Sequence, residues 1–113
     1  MNIQIFGTAK CPDTRKAQRY FKERGIAFQF IDIAKHGMSR GEYQNVKGAV
    51  GGMSALIDEK SKVYERLGIA YLADPGDAEE RLLENPAMFR TPIVRNGRLA
   101  TVGYSEKVWG GWE

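Results

Sequence analysis

The stretch TAKCPDT, residues 8–14, lies where a short apolar run ends and a helical pattern begins. The run at residues 3–6 predicts a buried or half-buried strand, which the following glycine ends. Over residues 14–24 apolar side chains recur at helical spacing, and Gly25 is a typical helix stop. The only cysteine of the chain, Cys11, is therefore expected at a strand-to-helix turn.

The position of Cys11 favours reactivity. Pro12 suits the first helical position and leaves Cys11 at or beside the N-cap, where free N–H groups and the helix dipole stabilise a thiolate. Lys10 and Arg15 add positive charge, and Asp13 opposes them. We expect the thiol pKa to be lowered and the sulfur to be nucleophilic near neutral pH. An inert packing role is the alternative, but Cys11 lies roughly 120° from the apolar stripe of the helix, counting about 100° per residue.

Composition predicts one folded domain over residues 1–113, since 42% of the residues are hydrophobic and 27% are charged. A single cysteine excludes an internal disulfide and a Cys-x-x-Cys pair, and a single histidine, His36, argues against a zinc site. The net charge of +3 comes without the dense basic and aromatic pattern of nucleic-acid binding. No membrane or signal segment is evident, so we expect a cytoplasmic protein without a bound metal or other cofactor.

The next elements extend the first strand and helix. Residues 27–33 predict a second strand, and strand, helix and strand over this length predict a right-handed crossover with two parallel strands. Ser39 and Glu42 have the spacing of a capping box, which predicts a helix over about 40–49. The glycine-rich residues 47–52 lack the ending of a phosphate-binding loop and indicate a helix stop instead.

The middle of the chain predicts only helices, so that an insert at about residues 34–89 separates two halves of a sheet. Further helical patterns lie at 62–67 and 78–85, with a connector at 34–38 and a turn at 74–77.

Strand pattern returns at residues 91–95, and the pair Asn96-Gly97 predicts a hairpin to a last strand at 99–102. Ser105 is then expected to cap a closing helix, whose tryptophans Trp109 and Trp112 cover one face of the sheet. A βαβ unit, a helical insert and a ββα unit form an α/β thioredoxin-like fold with a mixed four-stranded sheet.

In this fold Pro92 comes close to Cys11. We expect a cis bond between Thr91 and Pro92, with backbone N–H and C=O groups facing a peptide-like substrate. Thr14 lies one helical turn after Cys11, where its hydroxyl either donates to the sulfur or bonds a backbone carbonyl within the helix.

Several collinear motifs resemble the arsenate reductase (ArsC) family, which includes the Spx regulators and the YffB-like proteins. They lie at residues 11–17, 26–30, 61–67, 83–86, 90–94 and 102–104. The resemblance implies a thioredoxin-like domain with a helical insert and an active-site cysteine at Cys11. It also implies chemistry through thiolate attack and mixed disulfides.

The chain departs from two branches of this family. Glutathione- and glutaredoxin-dependent arsenate reducers hold the oxyanion with three arginines, and the corresponding residues here are Asp58, Thr91 and Gly103. Spx-type proteins sense oxidation with a Cys-x-x-Cys pair, whose second cysteine is replaced here by Thr14.

The expected function is therefore a single-cysteine thiol oxidoreductase resembling the YffB-like branch, with glutathione as co-substrate and Cys11 as the nucleophile. The expected substrate-binding residues are Lys10, Thr14, Arg15, Arg90, Thr91 and Pro92, of which Lys10, Arg15 and Arg90 also lower the thiol pKa. Two alternatives remain: an arsenate reductase that works with glutathione and a glutaredoxin, and a non-catalytic regulator that binds the RNA polymerase alpha subunit.

Overall fold

A four-stranded mixed sheet forms the centre of the protein, whose computed structural model describes residues 1–112. Its strands are β1 (Ile3–Gly7), β2 (Phe28–Asp32), β3 (Ile93–Asn96) and β4 (Leu99–Val102), in the spatial order β2-β1-β3-β4. β1 runs parallel to β2 and antiparallel to β3, which pairs antiparallel with β4. The predicted mixed sheet, with its parallel crossover and its hairpin, is confirmed.

Helices and short 3-10 turns make up most of the rest. The helices are α1 (Pro12–Glu23), α2 (Ile33–His36), α3 (Arg40–Val50), α4 (Lys62–Arg66), α5 (Pro75–Glu84) and α6 (Glu106–Gly110), with 3-10 turns at Met53–Ala55, Ile69–Tyr71 and Pro86–Met88. Within residues 1–112, no helix has both the length and the apolar character needed to cross a bilayer. The capping box that begins α3 is confirmed, with Ser39 and Glu42 each bonding the other's backbone N–H.

Two helix starts and one helix cap differ from the prediction. α5 begins at Pro75 rather than at residue 78, because the Asp74 carboxylate accepts a bond of 2.9 Å from the Gly76 N–H and caps the helix earlier. The predicted connector at 34–38 instead contains most of α2, which Asp32 caps in the same way. Ser105 occupies the N-cap of α6, but its side chain makes no cap hydrogen bond.

The two faces of the sheet carry separate hydrophobic clusters, because neighbouring strand residues point to opposite faces. One cluster joins α1 and α6 to the sheet and consists of Ile3, Ile5, Ala17, Tyr20, Phe21, Val94 and Trp109, with Trp112 packed against it. The other buries the insert against Phe6 and Ile93. The predicted position of the two tryptophans over one face is confirmed.

A short antiparallel ladder leads the chain from the insert back to the sheet. Ile57 and Phe89 form a bridge, and the Arg90 N–H donates to the Leu56 carbonyl at 2.7 Å. This pairing ends directly before Thr91, and it therefore fixes the position of Thr91 just before β3.

Candidate active site

The start of α1 is held against the end of β1 by a close contact between Gly7 and Thr14. A Cβ atom at Gly7 would lie 2.5 Å from Thr14 Oγ1 and 2.6 Å from Thr14 Cγ2, far inside van der Waals contact. Thr14 is fully buried. Only glycine at the last position of β1 therefore permits α1 to begin where it does. From the sequence, Gly7 was expected only to end the strand, although a glycine shortly before a helix is a signal for such a close approach.

Cys11 occupies the N-cap of α1 in an extended conformation, with Pro12 at the first helical position as predicted. Its side chain is partly buried. As a thiol it makes no cap hydrogen bond to α1. Instead its Sγ donates to the Thr91 carbonyl over 3.6 Å, which links the start of α1 to the segment directly before β3.

The pKa of Cys11 is lowered although burial alone would raise it. The groups that outweigh burial are the side chains of Thr14 and Thr91 and the backbone N–H groups of Thr14 and Asp13, which lie close enough to stabilise a negative charge on the sulfur. The Thr14 hydroxyl is buried and has no hydrogen-bond partner among residues 1–112, so it does not bond a helix carbonyl. These donors favour the thiolate, because an anionic sulfur accepts hydrogen bonds far better than a thiol does.

The three cations expected to lower this pKa do not do so. Arg15 is exposed and donates from Nη1 to the Ala9 carbonyl at 2.7 Å, which holds it over the loop before α1. Arg90 is turned towards the insert, where its Nη1 donates to the Ala55 carbonyl at 3.5 Å. Lys10 is exposed. Contrary to expectation, the groups that lower the thiol pKa are hydroxyls and backbone N–H groups, and these cations are not among them.

The bond between Thr91 and Pro92 is cis, as expected. The expectation that backbone groups here face a substrate is only partly met. The Thr91 carbonyl faces the Cys11 sulfur, whereas the Pro92 carbonyl already accepts a bond of 2.8 Å from the Gly103 N–H. Proline has no N–H to offer. The structure therefore brings Cys11, Thr14, Thr91 and Pro92 into one site, with Lys10 and Arg15 in the adjoining turn and first helical turn and Arg90 turned towards the insert.

The sequence pattern of one family extends over this whole arrangement. The model of the ArsC family matches residues 6–111, which include the cysteine turn, the insert and the hairpin. The chain belongs to the ArsC family. Among curated ArsC relatives, the global transcriptional regulator Spx 2 of Oceanobacillus iheyensis is 31% identical over 108 residues, covering 94% of this chain and 79% of the relative.

Solved structures share the thioredoxin-like ArsC fold. An arsenate reductase from Vibrio cholerae superposes with a TM-score of 0.87 at 24% identity, covering 97% of both chains. The protein named YFFB superposes with a TM-score of 0.80 at 19% identity, again covering 97% of both chains. At these identities the likeness establishes the fold, and the predicted thioredoxin-like architecture is confirmed.

Two positions of this ArsC chain that the resemblance assigns to oxyanion-binding arginines have other structural roles. The Asp58 carboxylate accepts from the Lys60 N–H at 3.0 Å and so caps its own turn. Gly103 has a φ of +81°, which favours glycine at the end of β4. Within residues 1–112 no cluster of three or more His, Cys, Asp or Glu side chains is arranged to hold a metal ion.

Proposed function

We propose that this ArsC-family protein is a thiol oxidoreductase that reduces disulfides through Cys11 alone, with glutathione as the second thiol. The observation that carries the proposal is the site of Cys11. Its sulfur is partly exposed at the start of α1, and its pKa is lowered because donors from Thr14, Thr91 and Asp13 outweigh burial. A thiolate is the attacking species in disulfide exchange.

The reaction has two exchange steps. In the first, the Cys11 thiolate attacks one sulfur of a substrate disulfide, a new disulfide forms with Cys11, and the other substrate sulfur leaves as a thiolate that takes up a proton from water. In the second, a glutathione thiolate attacks this mixed disulfide, which releases Cys11 as the thiolate. The glutathione thiolate attacks the outer sulfur, so the two steps yield one substrate thiol and one disulfide between glutathione and the other substrate half. When that half is itself glutathione, the product is glutathione disulfide. Otherwise a second glutathione thiolate attacks the product, which releases the other substrate thiol and glutathione disulfide.

The remaining site residues bind the substrate. Lys10 is exposed and attracts the carboxylates of glutathione from the rim. Arg15 and Arg90 do the same when a glutathione carboxylate displaces the Ala9 and Ala55 carbonyls as their partners. Thr91, beside the sulfur, aligns the peptide part of the substrate, and Pro92 contributes through its cis bond with Thr91, which places Thr91 there. Thr14 donates its buried hydroxyl to the leaving or attacking Cys11 thiolate.

The test is turnover of a small disulfide with glutathione, coupled to glutathione reductase. Wild-type protein is expected to turn over and, with the disulfide in excess and no glutathione present, to show the mass of one substrate half added to Cys11 by mass spectrometry. Cys11→Ser is expected to lose both signals because an alcohol does not exchange with disulfides. Undiminished turnover by Cys11→Ser would refute the mechanism.

Arsenate provides a second arm of the same assay. With arsenate, glutathione and a glutaredoxin present, we expect no turnover above the level without protein, because Asp58, Thr91 and Gly103 give an oxyanion no arginine clamp. Arsenate-dependent turnover that disappears in Cys11→Ser would show that arsenate is a substrate and would contradict the proposed restriction to disulfides.

A second candidate function is transcriptional regulation, which the 31% identity to Spx 2 over most of this chain favours. In that case the protein would capture the RNA polymerase alpha subunit from purified components, and Cys11→Ser would capture it equally well. Capture without disulfide turnover would favour the regulator, and turnover without capture would favour the enzyme.

A further inference from the structure

The exposed side of α1 carries a concentration of positive charge. Arg15, Lys16, Arg19 and Lys22 are all exposed, and they are called the basic face below. At about 100° per residue, Arg15, Arg19 and Lys22 lie within about 60° of one another on the side of α1 opposite the core. Lys16 lies beside them. The face begins one turn after Cys11.

No carboxylate neutralises the basic face within the part of the chain that the structure describes. The ion pairs found there join Arg40 to Glu80, Lys47 to Glu79 and Arg95 to Glu42, all away from α1. Of the two acidic residues of α1, Asp13 lies in the first turn, and Glu23 lies one turn after Arg19 without forming an ion pair within residues 1–112, so the four cations outnumber the carboxylate beside them. The basic face therefore presents a positive potential to solvent.

A cleft beside the basic face has room for acidic side chains. It has a volume of about 380 Å³ and lies between α1 and the start of α6. Its charged lining consists of Lys16, Arg19, Arg24, Glu23 and Glu106. Of its two carboxylates, Glu106 already accepts a hydrogen bond of 3.0 Å from the Tyr104 hydroxyl. Arg24 lies 3.7 Å over the Tyr20 ring and donates to the Tyr20 carbonyl at 3.3 Å. Lys16 and Arg19 are thus left facing Glu23, an excess of positive charge that suits a carboxylate from a partner.

We propose that the basic face docks an acidic surface on the protein whose disulfide Cys11 attacks. The inference rests on the proposed function and names its substrate class: a disulfide or glutathionylated cysteine on an acidic protein. The occupant is a protein rather than a nucleic acid because the face and the nucleophile belong to one helix, and a nucleic acid offers no sulfur for exchange. Complementary charge mainly accelerates encounter and fixes orientation.

The test compares two short peptides, each with one glutathionylated cysteine flanked either by glutamates or by glutamines. Wild-type protein is expected to release glutathione from the acidic peptide about tenfold faster at low salt. This advantage is expected to shrink towards about 0.15 M salt, where the Debye length is about 8 Å. The double variant Arg19→Glu/Lys22→Glu should lose it.

At about 0.15 M salt the same variant should keep its rate on the glutamine peptide. Its substitutions lie about 12 Å and about 16 Å along the helix from Cys11, beyond the screening length at moderate salt. A matched control is Lys60→Glu/Lys62→Glu, which makes the same charge change at exposed positions of the insert and should keep the preference for the acidic peptide. Retention of the preference by the α1 variant, or an equal loss in the control, would overturn the docking surface.

Binding is measured separately by fluorescence anisotropy with a labelled acidic peptide that has no cysteine. In one outcome wild-type protein binds this peptide, the α1 variant does not, and wild-type protein turns over neither peptide. This outcome would support the basic face as a docking surface and refute the proposed function. Equal turnover of the two peptides would refute the docking surface but not the proposed function. Tighter binding of a short duplex DNA than of the acidic peptide at about 0.15 M salt would overturn the assignment to an acidic protein.

Discussion

The reactivity of Cys11 depends on a balance at one atom. Partial burial disfavours the charged sulfur, and the hydroxyls of Thr14 and Thr91 together with two backbone N–H groups favour it more. Thr14 is the least replaceable of these donors, because its hydroxyl is buried without another partner among residues 1–112. A buried hydroxyl without a partner has lost its hydrogen bonds to water, and it gains one when it donates to the Cys11 thiolate.

Thr14→Val is expected to raise the Cys11 pKa and to slow alkylation of Cys11 near neutral pH, because valine keeps the shape of threonine and removes the donor. Stability should change by no more than about 1 kcal/mol, since no hydrogen bond of the thiol form is lost. Alkylation rates across pH measure the effect. Thr14→Ser, which keeps a hydroxyl, is the control. An unchanged midpoint in Thr14→Val would exclude this residue as a donor.

The same pKa shift makes stability depend on pH. The Cys11 pKa is below its ordinary value of 9.0 in the folded protein, so folding favours the thiolate. The contribution of Cys11 to the free energy of unfolding is therefore complete above pH 9.0 and is lost as pH falls through the lowered pKa.

Urea unfolding of wild-type protein and Cys11→Ser at several pH values tests this dependence. The stability of wild-type protein relative to the variant should rise with pH between the lowered pKa and 9.0. A difference that is constant across this window would show that the folded site does not favour the thiolate.

At the scale of elements, the junction of β1 with α1 places the sulfur. Gly7 ends β1, Cys11 caps α1, and Thr14 packs on the glycine, so that strand and helix meet without an intervening side chain. The N–H groups of the first helical turn are thereby fixed beside the cis Thr91–Pro92 peptide.

Gly7→Ala should therefore destabilise the protein by about 1 to 3 kcal/mol, because its Cβ would meet the Thr14 side chain and displace the start of α1. It should also slow Cys11 alkylation by moving the helix donors. Gly48→Ala is the matched control. Gly48 lies within α3 with no atom near its would-be Cβ, and alanine there should stabilise by about 0.5 to 1 kcal/mol. Equal effects of the two substitutions in urea unfolding would contradict the close contact.

At the scale of the whole molecule, the last helix closes one face of the sheet. The Trp109 ring is fully buried, lies 5.1 Å from the rings of Tyr20 and Phe21, and donates from Nε1 to Thr101 Oγ1 at 2.8 Å. It thus joins α6, α1 and β4, elements from both ends of the described chain.

Trp109→Phe is expected to cost about 2 to 4 kcal/mol of stability, because it leaves a cavity and an unpaired Thr101 hydroxyl. Thr101→Val should cost about 1 to 3 kcal/mol by leaving the indole N–H unpaired. The double variant should cost less than the sum of the two, since it removes both partners of the bond. Strict additivity in urea unfolding would contradict the contribution of this hydrogen bond.

The sequence by itself determined the features that depend on neighbours within a few residues. The N-cap position of Cys11, the capping box of α3 and the hairpin at Asn96 follow from turn and capping chemistry, which acts over one to four positions. The start of α5 was missed although Asp74 carried its signal, because an Asp-Pro-Gly sequence also fits a turn.

Only the tertiary structure decided what surrounds the sulfur. Thr91 is 80 residues from Cys11 along the chain, and the sheet alone brings the two together. Arg15 and Arg90 are directed by nearby carbonyls rather than by the thiol, which sequence spacing does not reveal. Charge can be counted along a sequence, but hydrogen-bond donation depends on distance and direction, which packing sets.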